Sequence, residues 1–361
     1  MKFSLFYLPT YWPSLNGSVG RLYQDILEEI EFADQNGLDA VWFAEHHFFG
    51  YGGVLPSMPV IAAAAAQRTR RIRIGSGVAL IGLNDPVRVA EEFAMLDNLS
   101  DGRLNFGIGR AFQRAEYDAF NVPMAESRAR FDEAHEIILR AWRDEPLNYA
   151  GRYRILKDVN VLPKPVQRPH PPIYVACIMT PESFEFTARH GYHLMYVPYV
   201  GSPEDGVARI RHYRQTLTEA GYDPASREVM MCMHAFCGES AAHARDYPRP
   251  YLTNYFELAA GANRVDADAD QYRGYAGIGK IFQHIHENYD FMYPNQVIFG
   301  DPEQCLERIE YYRAMGATQI SLITNFGGMP HREIMRSLER FVKDVIPHVR
   351  RDGDQSAAAG G

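Results

Sequence analysis

Cysteine is scarce: there are four among 361 residues, Cys177, Cys232, Cys237 and Cys305. No two stand in C-x-x-C spacing, which speaks against a zinc ribbon or a dithiol redox motif. Three of them fall in apolar strand-like or helical surroundings, so buried thiols in a reducing cytoplasm are expected. Long apolar runs are missing too, and none approaches the roughly 18 residues that a membrane span needs. Basic charge is not in excess. The 37 Lys and Arg stand against 45 Asp and Glu, a net charge of −8, which argues against a surface for nucleic acid or anionic membrane. The apolar start MKFSLFYLPTYWPS is interrupted by Pro9 and Pro13 and lacks an A-x-A cleavage site. It reads as a first strand rather than a signal peptide. No G-x-G-x-x-G follows that strand, and Gly107-Ile108-Gly109 has no third glycine in register. A doubly wound dinucleotide-binding sheet, the runner-up architecture, therefore lacks its fingerprint.

What is present is a repeated strand–helix unit. Hydrophobic residues make up 46% and charged residues 23%, ordinary for a globular protein with a sizeable core. Strands are predicted at 3–8, 40–44, 72–80, 104–109, 173–177, 193–197, 229–236 and 319–324. Several are near-continuous apolar runs, as strands covered on both faces are. Between them lie amphipathic stripes such as Leu22, Ile26, Ile30 and Ala33, or Ile334, Leu338, Phe341 and Val345. Helix starts are marked by Asp85-Pro86, Thr180-Pro181, Ser202-Pro203 and Asp301-Pro302. In each, the first side chain can cap free N–H groups and the proline fits the first helical position. Stops are marked by Gly37, Gly102, Gly191, Gly221 and Gly316. Eight strands alternating with helices predict an α/β fold, a (β/α)8 TIM barrel, which runs to this length as one domain.

The predicted barrel spans 1–350, and two segments break its rhythm. Residues 151–172 (with LPKPVQRPHPP) read as a loop with a short hairpin, and 238–296, between the seventh and eighth strands, is too long for a plain βα connection. The latter carries ten aromatics, Tyr247, Tyr251, Tyr255, Phe256, Tyr272, Tyr275, Phe282, Tyr289, Phe291 and Tyr293, and is read as an insertion that acts as a lid. The small, polar tail 351–361 is expected to be disordered.

Barrel enzymes place active residues at the C-terminal ends of strands. The second strand ends in Glu45-His46-His47, a carboxylate and two imidazoles suited to acid–base work near neutral pH. Neighbours on an extended strand point to opposite faces, so His46 and His47 are not expected to share a metal ion, and no metal is predicted. Arg110 follows the fourth strand, Arg128 begins a helix, and Thr180 and Ser183 lie at the start of the helix after the fifth strand. Arginines with hydroxyls and free N–H groups at a helix N-terminus form a phosphate site.

Four stretches, AEHHF at 44–48, NDPVRVAEEFAMLDNLSDGRLNFGIGR at 84–110, ESRARFDEAHEIILRAW at 126–142 and GGMPHREIMRSLERFVKDVIP at 327–347, together resemble the bacterial luciferase-like flavin monooxygenases. The likeness runs from residue 2 to about 349. It implies a luciferase-like barrel and a dimer working in a two-component system, in which a separate reductase delivers reduced FMN. It also implies oxygenation by dioxygen through a flavin peroxide. On this resemblance His46 assists the flavin–oxygen chemistry, and Glu45 beside it is more structural and placed toward a subunit contact. Arg110, Arg128, Thr180 and Ser183 bind the flavin phosphate, and Gly77-Val78 forms a non-proline cis peptide under the flavin ring. Gly109 stands where the luciferase α chain has a reactive cysteine; the change opens space near the flavin and implies a substrate other than a simple fatty aldehyde. The aromatic-rich lid points to an apolar or aromatic substrate, free or carrier-bound. Two further readings stay open: an F420-dependent oxidoreductase of the same fold, and a non-catalytic flavin-binding partner subunit.

Overall fold

The computed structural model describes residues 1–263 and 276–350. Tyr272, Tyr275 and the tail 351–361 lie outside the described residues. The strands in chain order are β1 (Lys2–Tyr7), β2 (Ala40–Phe43), β3 (Arg73–Ser76), β4 (Leu104–Ile108), β5 (Leu147–Ala150), β6 (Ile155–Val159), β7 (Ile173–Cys177), β8 (His193–Tyr196), β9 (Val229–Cys237), β10 (Ile298–Gly300) and β11 (Gln319–Ile323). Eight of them close a parallel barrel in the order β1-β2-β3-β4-β7-β8-β9-β11, with β11 returning to β1. These are the eight predicted strands. Every residue of β2, β4, β9 and β11 is buried, as in strands covered on both faces, with Asn105, His234, Gln319 and Ser321 the polar side chains among them.

β3 is shorter than the predicted 72–80. The ladder stops at Ser76, just before the cis Gly77–Val78 peptide. Gly77 N–H still donates to Phe43 O (2.7 Å) and Ala79 N–H to Gly107 O (2.9 Å), so only a single bridge, Ala79 to Ile108, continues the pairing. The approach of β4 here admits no side chain at 107. A Cβ on Gly107 would lie 1.8 Å from Ser76 O, while the Ser76 hydroxyl bonds Gly107 N and O at 2.8 Å each.

The helix starts follow the expected chemistry at three places and depart from it at the fourth. Asp85, Ser202 and Asp301 each cap their helix through the side chain, Asp301 within a full capping box. Thr180 makes no side-chain cap bond. All five glycines expected to end helices have positive φ. The hairpin falls at β5–β6, just ahead of the proline-rich loop, which holds two cis prolines, Pro163 and Pro169. Between β9 and β11 lie the helices Ala241–Asp246, Arg249–Ala262, Ala276–Glu287 and Tyr289–Asn295, then β10, which pairs with the last three residues of β9. β10 was not expected; three residues are too few for a periodic signal. All four cysteines are free and buried. Among the described residues, no helix is long and apolar enough to cross a membrane.

Candidate active site

The loops at the C-terminal rim of the barrel bound a cavity of about 1370 Å³, counted with its open mouth. Glu45 and His46 reach it from the end of β2, Gly77 and Val78 from the end of β3, and Gly109 and Arg110 from the end of β4. Arg128 enters from the helix Ser127–Ala141, and Thr180 and Ser183 from the start of the helix Pro181–Arg189. The structure thus brings all nine sequence-predicted residues to one cavity. Their separation in sequence is bridged by the barrel, whose strand ends converge on one rim.

His46 is buried, and its Nδ1 lies 3.0 Å from Glu116 Oε1. The same carboxylate oxygen accepts the backbone N–H of His47 at 3.1 Å, and the Gln113 amide nitrogen lies 3.2 Å from His46 Nδ1. An Nδ1–H that donates to a carboxylate fixes the imidazole tautomer and turns Nε2 into the atom available for proton transfer. Glu116 and Gln113 are both fully buried, and neither was found by sequence reasoning. Glu116 sits 70 residues from its partner, in an ordinary polar helix, and no local spacing reports it. His47 turns the other way, its Nε2 3.3 Å from Glu45 Oε1. Glu45 also accepts from Leu80 N–H at 3.1 Å and from Asn84 Nδ2 at 2.9 Å. Both of its oxygens are therefore engaged by the chain's own donors, and the carboxylate ties the 80–84 loop to the end of β2.

Two arginines also line the cavity. Arg110 donates to Ser127 Oγ at 3.3 Å, and Arg128 lies 3.9 Å from Asp132. Thr180 does not cap its own helix, so its hydroxyl stays available to an anion, while of that first turn Pro181 has no N–H and the Ser183 N–H is bonded to Thr180 O at 3.0 Å. Burial holds the neighbouring Cys177 thiol up at about 12 even against these two guanidinium groups, so it is no nucleophile here.

The chain matches the luciferase-like monooxygenase family over residues 1–319. It belongs to that family. Among its relatives, the alkanal monooxygenase alpha chain of Aliivibrio fischeri is 30% identical over 328 residues, 87% of this chain and 90% of that one. The oxygenase component of a flavin-dependent trigonelline monooxygenase from Acinetobacter baylyi is 27% identical over 340 residues, 91% of this chain and 90% of that one. Among solved structures, the monooxygenase RslO1 from Streptomyces bottropensis superposes with a TM-score of 0.81 at 33% identity, covering 97% of this chain and 100% of that one.

Within this luciferase-like cavity the remaining wall is apolar, part aliphatic and part aromatic. Tyr51 and Phe112 pack on the His46 ring at centroid distances of 5.6 and 5.5 Å. Tyr199 and Phe282 also line the space, Phe282 from the helix Ala276–Glu287. Of the ten aromatics in the predicted lid, Tyr255 and Phe256 are instead packed in the interior, and Phe291 is exposed. Gly109 does not open the space that the sequence implied. A Cβ built on it would meet Val78 Cγ2 at 2.4 Å, so the Val78 side chain already fills that volume.

Proposed function

We propose that the chain is the oxygenase component of a two-component flavin monooxygenase, taking reduced FMN from a separate reductase and acting with dioxygen on an apolar or aromatic substrate. The observation that carries this reading is one cavity lined by a positioned imidazole, by two arginines and by an uncapped helix start. The donor set fits FMN: two guanidinium groups and two hydroxyls suit a phosphate, and an apolar stretch suits a flat ring system. When bound, reduced FMN supplies the electrons that let one oxygen atom of dioxygen enter the substrate. Arg110, Arg128, Thr180 and Ser183 would hold its phosphate, and Gly77, Val78 and Gly109 its ring. His46 gives or takes a proton through Nε2, and Glu116 keeps the ring turned for that task. The 238–296 segment acts as the lid that excludes water. Phe48 and Phe120 form an exposed apolar pair beside the Glu45-His46-His47 turn, their centroids 5.6 Å apart, a fitting contact for a homodimer.

Anaerobic titration with reduced FMN, reduced riboflavin and reduced F420 tests the reading. Wild type is expected to prefer reduced FMN. Arg110→Ala and Arg128→Ala should each weaken FMN by about 10- to 100-fold, the loss of a charge-assisted bond to phosphate, and riboflavin by less than about threefold. Equal losses for both ligands would place the phosphate elsewhere, and tighter binding of F420 would move the chain to hydride transfer.

A further inference from the structure

Away from the cavity, one imidazole meets three carboxylates. His331 opens the helix His331–Arg340, and Asp25, Glu28 and Glu29 stand on the helix Val19–Gln35. Glu29 is fully buried and accepts from three donors: the Tyr7 hydroxyl at 2.9 Å, Asn325 Nδ2 at 3.1 Å and His331 Nδ1 at 3.1 Å. A carboxylate surrounded by donors takes the Nδ1 proton as an acceptor, which leaves the lone pair of a neutral ring at Nε2.

That lone pair faces other lone pairs. Nε2 is shielded from water and has no hydrogen-bond partner, yet Glu28 Oε2 lies 3.4 Å from it. One ligand atom each of His331, Glu28 and Asp25 lie within 4.8 Å of one another. Such a gathering needs a positive charge between its members. A proton on Nε2 bridges the ring to Glu28 alone. It leaves Asp25 Oδ1, which is shielded from water and makes no hydrogen bond; the mostly exposed Arg21 has its Nε 2.7 Å away but is not aligned to donate. A metal ion reaches all three. Zinc ligands stand about 2.0–2.2 Å from the ion and so about 3–4 Å from one another. Closure asks for a shift of about 1 Å at that spacing, and Glu28, whose side chain is 61% exposed, can make it and give the ion a way in. One imidazole nitrogen with two carboxylates suits a transition-metal ion better than calcium or magnesium. A buried carboxylate on the far ring nitrogen is the arrangement that orients metal-bound histidines.

We propose that Asp25, Glu28 and His331 form a site for one divalent transition-metal ion such as zinc, with Glu29 as the residue that orients the imidazole. The ion braces the helix Val19–Gln35 to the loop between β11 and His331. Asn254, in the helix Arg249–Ala262, donates to Gly327 O of that loop at 3.1 Å, so bound metal stiffens the seat of this helix as well.

The test is calorimetric titration of zinc chloride into the full chain after EDTA treatment and dialysis. One ion per chain is expected, with micromolar affinity, and zinc should raise the unfolding temperature by a few degrees. Glu29→Gln keeps all three ligands but loses the orienting charge, and should weaken zinc by about 10- to 100-fold. His331→Gln and Asp25→Asn should weaken it at least as much. Glu28→Gln changes an exposed residue, so its fold is safe, and a loss of about tenfold is expected there. Unfolding temperatures without zinc check the folding of the buried variants. No zinc binding by wild type overturns the site and leaves His331 as an imidazolium held by Glu28 and Glu29. Zinc binding that is the same in wild type, Glu28→Gln and His331→Gln also overturns it, as an adventitious ion only.

Discussion

Replacing His46 by alanine is expected to lower product formation by about 10²- to 10³-fold, the range for loss of a positioned general acid or base. Affinity for reduced FMN should change less than about threefold, because His46 is not among the residues proposed to hold the phosphate. The reasoning starts from burial. His46 has Nδ1 committed to Glu116 at 3.0 Å, in a layer with Gln113 that water does not reach. An imidazole fixed in this way has one nitrogen left for work, and the ring lies on the cavity wall beside Tyr51 and Phe112. Glu116→Ala should act through the same ring. It removes both the Nδ1 partner and the anchor of the His47 backbone, and about a tenfold loss is expected, with flavin affinity again kept. The informative readout is oxygenated product per reduced FMN consumed, followed after rapid mixing with dioxygen. In the His46 variant, flavin should still be oxidised while product disappears. Unchanged product yield would take His46 out of the chemistry.

Much of this was legible in the sequence because it was written locally. A strand end followed by Glu-His-His, a Thr-Pro helix start after the fifth strand and an arginine after the fourth are all short-range signals. The barrel rule then carries each of them to the same rim. Glu116 and Gln113 were illegible for the opposite reason. They matter only through contacts with residues 70 and 67 positions away, and no periodicity encodes a contact of that kind. The shortened third strand was mispredicted because its apolar run continues past Ser76, where regular pairing ends and only the Ala79–Ile108 bridge follows. Thr180 shows the limit of a motif. Its sequence is that of a capping residue, like Asp85 and Ser202, yet its hydroxyl is left unspent. The same residue type serves the helix in one place and faces the cavity in another, and only packing decides which. The Gly109 reading failed on packing as well: composition shows a missing side chain but not that Val78 fills the volume.

Stability is expected to fall steeply below about pH 6.5, and His234→Leu should flatten that fall. Burial pushes His234 down to about 3, and His135 and His193 down to about 4 each. All three are thus neutral in the fold at pH 5, whereas the same side chains in the unfolded chain take up protons near pH 6.5. Between those values the unfolded state binds more protons than the native one, so stability rises with pH there and is lost as pH falls. Each histidine contributes a slope of up to about 1.4 kcal/mol per pH unit in this window. His193 shows why the neutral form is built in: its Nδ1 accepts the Glu228 backbone N–H at 2.9 Å, which a protonated nitrogen cannot do. His234 has no such bond on either nitrogen and lies among Tyr199, Tyr255, Phe256 and Phe326. Leucine there removes an unpaired buried polar group, worth about 1–3 kcal/mol, as well as one proton of uptake on unfolding. Urea midpoints between pH 7 and 5 measure both effects. The variant should be more stable than wild type at pH 7, and the gap should widen toward pH 5. A constant gap across that range would mean that His234 does not titrate on unfolding, and a less stable variant at pH 7 would mean that its imidazole is satisfied in solution.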